Sequence, residues 1–149
     1  MYGLREEEEE VRLRGIGLSL AFLSLVVVAD QLSKWLAVWM DFGFTENRGI
    51  AFGLFPSFDW VFLLAAVVLG LGWFLRVKKF SSPLTSVGLG LFIGGGSSNL
   101  VDRVVRGSVF DFLWIGIGPR FNLADFAITF GLALLSWSIL VGKDRVKAQ

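Results

Sequence analysis

The sequence predicts an all-α integral membrane protein: four transmembrane helices with a small extracytoplasmic β-sheet and loop region. Three observations carry this. The 149 residues are 54% hydrophobic, with 15 Phe and 6 Trp, and the mean hydropathy is +0.67, too apolar for an ordinary soluble domain. Uncharged apolar runs recur at Gly15–Ala29, Trp60–Leu75, Phe80–Val101 and Phe126–Gly142. Basic residues cluster beside alternate ends of these runs, as the positive-inside rule requires.

A helix needs about 20 mostly apolar residues to cross the hydrocarbon core. The third run reaches that length alone. The others reach it once polar flanks are included, which places spans near 16–38, 58–76, 82–103 and 123–142 of a single domain, 1–149. The first run lacks a small-residue cleavage site and continues into Trp35-Leu-Ala-Val-Trp39, so it reads as a retained span rather than a signal peptide. Residues 1–14 form a charged cytoplasmic tail, in which Glu6–Glu10 reads as a solvated face.

Arg5, Arg12 and Arg14 precede the first span, Arg76, Lys78 and Lys79 follow the second, and Lys143, Arg145 and Lys147 follow the fourth. Their common side becomes cytoplasmic, with both termini inside. The loops 37–59 and 104–121 then face out. Within them, Phe44–Phe55 mixes aromatic and polar residues, and Val109–Ile115 is rich in β-formers before Gly116, Gly118 and Pro119 break the pattern. The expectation is a short strand, a turn and a return into the fourth helix, with Asn122 as its cap. Trp35, Trp39, Trp60 and Trp114 suit an interfacial belt.

The net charge of +1 gives no nucleic-acid footprint. The absence of Cys and His removes disulfides, thiol nucleophiles, Ser-His-Asp triads and the usual zinc sites. Hydrolytic chemistry would then rest on carboxylates, Lys, Ser/Thr or a hard metal. Asp111 and Asp125 draw attention because a carboxylate at a span edge is costly to desolvate. Two brought close cannot both ionise cheaply and share a proton. Such a pair can activate water and polarise a carbonyl.

Other polar residues support this region. Asn99, Asp102, Arg103 and Arg106 share one helical face, and Asp102 reads as part of a structural network tying helix ends together. Gly94–Gly96 permit close helix packing. Asp30 and Lys34 stand at i and i+4, which suits either a helix-stabilising bridge or a role in orienting site groups. A small membrane transporter or channel subunit remains an alternative, since intramembrane charges also mark ion paths. A noncatalytic four-helix scaffold would explain the glycines.

Five ordered blocks resemble the motifs of bacterial lipoprotein signal peptidase (signal peptidase II): Asp30-Gln-Leu-Ser-Lys34, Glu46-Asn-Arg-Gly-Ile-Ala-Phe-Gly53, Gly95-Gly-Ser-Ser-Asn-Leu-Val-Asp-Arg103, Gly107-Ser-Val-Phe-Asp-Phe112 and Phe121-Asn-Leu-Ala-Asp-Phe-Ala127. The resemblance implies a membrane aspartyl endopeptidase of the bacterial inner membrane, with its active site near the extracytoplasmic face. It would cut prolipoprotein signal peptides just before a diacylglyceryl-modified cysteine. By the same motifs the catalytic dyad falls on Asp111 and Asp125. Asn47, Gly49, Asn99, Arg103 and Asn122 align with the substrate or inhibitor pocket, and Asp30, Lys34 and Asp102 with supporting residues. Membrane lipids and globomycin-type inhibitors are the implied further partners; no metal or cofactor is implied. The chain departs from the family pattern at Gly-Gly-Ser-Ser98, at Phe110, where a smaller β-branched residue is usual, and in a short stretch between the two aspartates.

Overall fold

The computed structural model describes residues 2–48, 70, 72 and 82–147. The long helices are α1 (Tyr2–Trp39), α2 (Pro83–Arg106) and α3 (Leu123–Lys147), and the short strands are β1 (Thr45–Asn47) and β2 (Val109–Asp111). Three helical segments, Arg5–Trp39, Pro83–Arg106 and Leu123–Val141, are long and apolar enough to cross a membrane. They correspond to the first, third and fourth predicted spans. The predicted second span, near 58–76, lies almost wholly outside the described residues. The predicted charged tail is helical: α1 begins at Tyr2 and carries the exposed Glu10–Arg14 pair, 2.6 Å apart at i,i+4.

The polarity of the bundle is inverted relative to a soluble protein. Leu25, Val28, Leu32, Phe126, Trp137 and Leu140 are exposed, whereas Ser19, Asp30, Lys34, Ser98, Asn99 and Asp102 are buried. Lipid solvates apolar side chains as well as a protein core does, so helices in a membrane are joined by close backbone approach and hydrogen bonds. Both devices are present. Ser19 Oγ donates to the Ser86 carbonyl at 2.8 Å, and the Thr85 and Ser138 hydroxyls meet at 2.6 Å. The small apolar core consists of Leu89, Ile93 and Leu135.

These contacts fix direction. Gly90 packs on Ser19 and Phe22, and Gly94 on Leu23 and Val26, so α1 and α2 run parallel. Gly88 packs on Gly131 and Leu135, and Gly95 on Ala124 and Ile128, so α2 and α3 run antiparallel. A Cβ at Gly95 would overlap the Ala124 carbonyl oxygen and come within 2.8 Å of Ile128 Cγ1. Gly95→Ala is therefore expected to cost about 1–3 kcal/mol through overpacking. It should also lower activity, because Ala124 adjoins Asp125. Thermal unfolding in detergent checks the first effect; an unchanged midpoint would refute it.

The C-terminal ends of α1 and α2 and the N-terminal end of α3 meet at one end of the bundle. There α2 stops at Gly107, whose φ of 74° lets its N–H reach the Arg103 carbonyl at 3.1 Å. A left-handed glycine cap turns the chain out of the helix, straight into β2. β1 and β2 pair antiparallel, Thr45 opposite Asp111 and Asn47 opposite Val109. Beyond β2, Leu113 and Phe121 exchange backbone hydrogen bonds at 2.8 and 3.0 Å, closing the loop with Gly116 and Gly118 at positive φ. The Arg120 guanidinium donates to the carbonyls of Gly43 and Phe112, joining this loop to the chain just before β1 and just after β2.

Candidate active site

Asp111 ends β2, and Asp125 lies in the first turn of α3. Asn122, fully buried, is the residue between them. Its Nδ2 donates to Asp111 Oδ1 at 2.7 Å and to Asn99 Oδ1 at 3.1 Å, while its Oδ1 accepts the Asp125 N–H at 2.9 Å. Asp125 Oδ2 returns the cap by accepting the Asn122 N–H at 3.2 Å. This reciprocal pair is a capping box with Asn and Asp in the usual Ser/Thr and Glu places. The cap predicted at Asn122 is present, and it also ties the two aspartates to one side chain.

Each carboxylate has a second amide donor. Asn47 Nδ2 donates to Asp111 Oδ2 at 3.0 Å, and Asn99 Nδ2 donates to Asp125 Oδ1 at 2.8 Å. Burial pushes the Asp111 carboxyl from 3.8 up to about 6. The Asn47 amide opposes this, the Asp125 charge adds to it, and the Asn122 amide and Lys34 ammonium oppose it further. Desolvation thus outweighs the two hydrogen bonds that favour the ionised form.

Beneath the aspartates lies a buried ion group. Lys34 Nζ is 2.6 Å from Asp30 Oδ2 and 2.7 Å from Asp102 Oδ2, and it donates to Asn99 Oδ1 at 3.2 Å. The expected Asp30–Lys34 bridge thus exists and also orients a site group. With Lys34 and Asn122 both donating to its oxygen, Asn99 must turn its nitrogen toward Asp125. Asp30 Oδ1 accepts the Ala124 N–H at 2.9 Å, which anchors the helix turn bearing Asp125. Asp102 also accepts from Gln31 Nε2 on α1 at 2.9 Å and from Arg106 Nη1 at 3.2 Å.

Two contributors were not anticipated. Ser98 Oγ donates to Asp30 Oδ2 at 2.7 Å and accepts from Gln31 Nε2 at 3.0 Å. The serine therefore supplies a hydrogen bond to a buried carboxylate where close backbone approach alone was expected. Gln31 has a readable signal: it adjoins Asp30 and lies three residues before Lys34, on the same face. Arg103 is half-buried on α2, and Gly49 lies outside the described residues. Among the described residues no cluster of acidic side chains has the makings of a metal site.

Asp111, buried, and Asp125, half-buried, joined through amides at one end of the apolar helices, are the groups a membrane hydrolase needs. Comparison with known proteins narrows the class. A sequence model described as Signal peptidase (SPase) II matches residues 22–141. Lipoprotein signal peptidases of Geobacillus kaustophilus and Syntrophomonas wolfei are 38% and 37% identical, over 74% and 81% of this chain and 84% and 91% of their own. That of Chlorobium luteolum is 34% identical over 74% of this chain and 83% of its own. A solved bacterial membrane enzyme shares the fold, with a TM-score of 0.76 at 24% identity, covering 90% of this chain and 93% of that one. The chain belongs to the signal peptidase II family.

Proposed function

We propose that this protein removes the signal peptides of lipoprotein precursors, cutting before the diacylglyceryl-modified cysteine with water activated by Asp111 and Asp125. The observation that carries the reading is the convergence of both carboxylates on Asn122, Asp111 on its side-chain amide and Asp125 on its backbone N–H. The pair holds one proton. Its ionised member takes a proton from water as the oxygen attacks the scissile carbonyl, and its protonated member donates to the carbonyl oxygen. The tetrahedral diol then collapses: the newly protonated member gives its proton to the leaving amine, the other takes one back from a diol hydroxyl, and the pair again holds one proton. Gly49 and Arg103 hold substrate carbonyls, while Asn47, Asn99 and Asn122, whose amides already serve the aspartates, hold the dyad.

The same reading includes four spans. Parallel α1 and α2 require the chain between them to recross the bilayer, and the apolar run within 58–76 is suited to do so. Positive-inside asymmetry puts both termini in the cytoplasm and the aspartates near the extracytoplasmic face of the inner membrane. The exposed Trp35 and Trp39 rings, stacked with centroids 6.3 Å apart, suit that interface. Lipid chains of the substrate stay in the bilayer, and globomycin-type peptides occupy the substrate's place. Among the described residues, the buried charges gather at one helix end rather than along the spans, which disfavours an ion path.

The reading is tested by reconstituting the protein with lipid-modified and unmodified precursor. Cleavage of the modified precursor alone, blocked by a globomycin-type peptide, is expected. Ion flux without proteolysis would overturn the assignment.

A further inference from the structure

Arg106 closes α2 and joins the buried ion group from its solvent side, its side chain 33% exposed. Asp30, Lys34 and Asp102 by themselves carry one negative charge in excess. Arg106 Nη1, 3.2 Å from Asp102 Oδ1, balances it. The same guanidinium lies over the Phe110 ring, 4.9 Å from its centroid. Phe110 is the residue before Asp111, and its ring also packs on Phe44, with centroids 4.8 Å apart. One cation therefore touches both the ion group under Asp125 and the strand that ends in Asp111. Neither contact involves the reacting carboxylates.

We propose that Arg106 is a positioning residue for cleavage: it balances the buried Asp30–Lys34–Asp102 group and, through the Phe110 ring, holds strand β2 and hence Asp111 against α2. A cation over an aromatic face is attracted to the ring's negative face, most strongly where water is excluded. Asp111 and Asp125 come from separate elements, so their relative position depends on what joins β2 to the helices. The Arg106–Phe110 contact supplies a tether directly beside the dyad. Small displacements of reacting groups cost rate steeply, so the tether acts on turnover rather than on binding.

This inference rests on the peptidase reading above, and the parental enzyme's cleavage of lipid-modified precursor tests that reading independently in the same assay. Arg106→Gln, Arg106→Lys, Phe110→Leu and the Arg106→Gln/Phe110→Leu double variant are assayed well below their unfolding midpoints. Arg106→Gln is expected to lower kcat by about tenfold with KM within about twofold of the parent. Arg106→Lys, which keeps charge and ring contact, should recover most of the loss. Phe110→Leu should mimic Arg106→Gln, and the double variant should be no worse than either single one, since both break the same tether. A rise in KM instead of a fall in kcat would make Arg106 a substrate contact and overturn the proposal. Unchanged kinetics, failure of lysine to rescue, or additive losses would overturn it equally.

Discussion

Asp111→Asn abolishes cleavage and, as pH rises, makes the folded protein progressively more stable relative to its parent. The first effect follows from removing one half of the dyad. General acid–base groups contribute about 10²–10⁴-fold, and a pair that shares a proton loses its function with either member. Asp125→Asn should be equally inactive. The second effect follows from burial of the Asp111 carboxyl. The Asp111 carboxyl titrates at about 6 in the folded protein against 3.8 ordinarily, so the folded state binds more protons between those values. Its protonated form is a stabilising contribution that is complete below 3.8 and is lost as pH rises through about 6. The ionised, buried carboxylate then opposes folding by on the order of 1–3 kcal/mol. Asparagine is neutral throughout and escapes this penalty, although its amide can accept from only one of Asn47 and Asn122. The stability of Asp111→Asn minus that of the parent should therefore increase between about pH 4 and pH 7. Thermal unfolding in detergent across that window measures it, and a pH-independent difference would refute the cause assigned here. Asp125→Asn loses one of the acceptors that close the Asn122–Asp125 capping box, so about 1 kcal/mol of helix capping is expected to go with it.

The aspartates, the asparagines and the three described spans were legible because each has a one-dimensional signature: hydropathy, helical spacing and ordered motifs. Hydropathy placed α2 near 82–103, and the structure has Pro83–Arg106. The β-formers after Gly107 announced a strand, and β2 covers Val109–Asp111. A small sheet was expected there, but its register was not legible, because pairing Thr45 with Asp111 joins residues far apart in sequence whose side chains carry no complementary pattern. Nor was the task of Ser98. As a residue in a glycine-rich helix segment it reads as packing, and only the approach of α1 brings its hydroxyl to Asp30. Asn99 illustrates the remaining limit. Sequence placed it beside the site, but whether its amide faces substrate or framework depends on Lys34 and Asn122 both reaching its oxygen.

Lys34→Met is expected to be the most destabilising single change in the described bundle. The ammonium is fully buried between two fully buried carboxylates, at 2.6 and 2.7 Å. Burying a paired ion group yields little net stability, yet removing one partner strands uncompensated charge at a cost of about 3–5 kcal/mol. Asp30 and Asp102 would keep Ser98, the Ala124 N–H, Gln31 and Arg106 as hydrogen-bond partners, but only Arg106 among these carries charge. Adding Asp30→Asn and Asp102→Asn to Lys34→Met should restore much of the stability, since neutral amides can still accept the Ala124 N–H and the Gln31 amide. Cleavage should not return with it. In the triple variant Asn99 Oδ1 retains only the Asn122 donor, so nothing on α1 keeps the Asn99 nitrogen turned toward Asp125. Unfolding midpoints and cleavage rates of the single and triple variants measure the two effects separately. Recovery of both together would mean that Lys34 serves the fold alone; recovery of stability without turnover assigns it the second task of aiming Asn99 at Asp125.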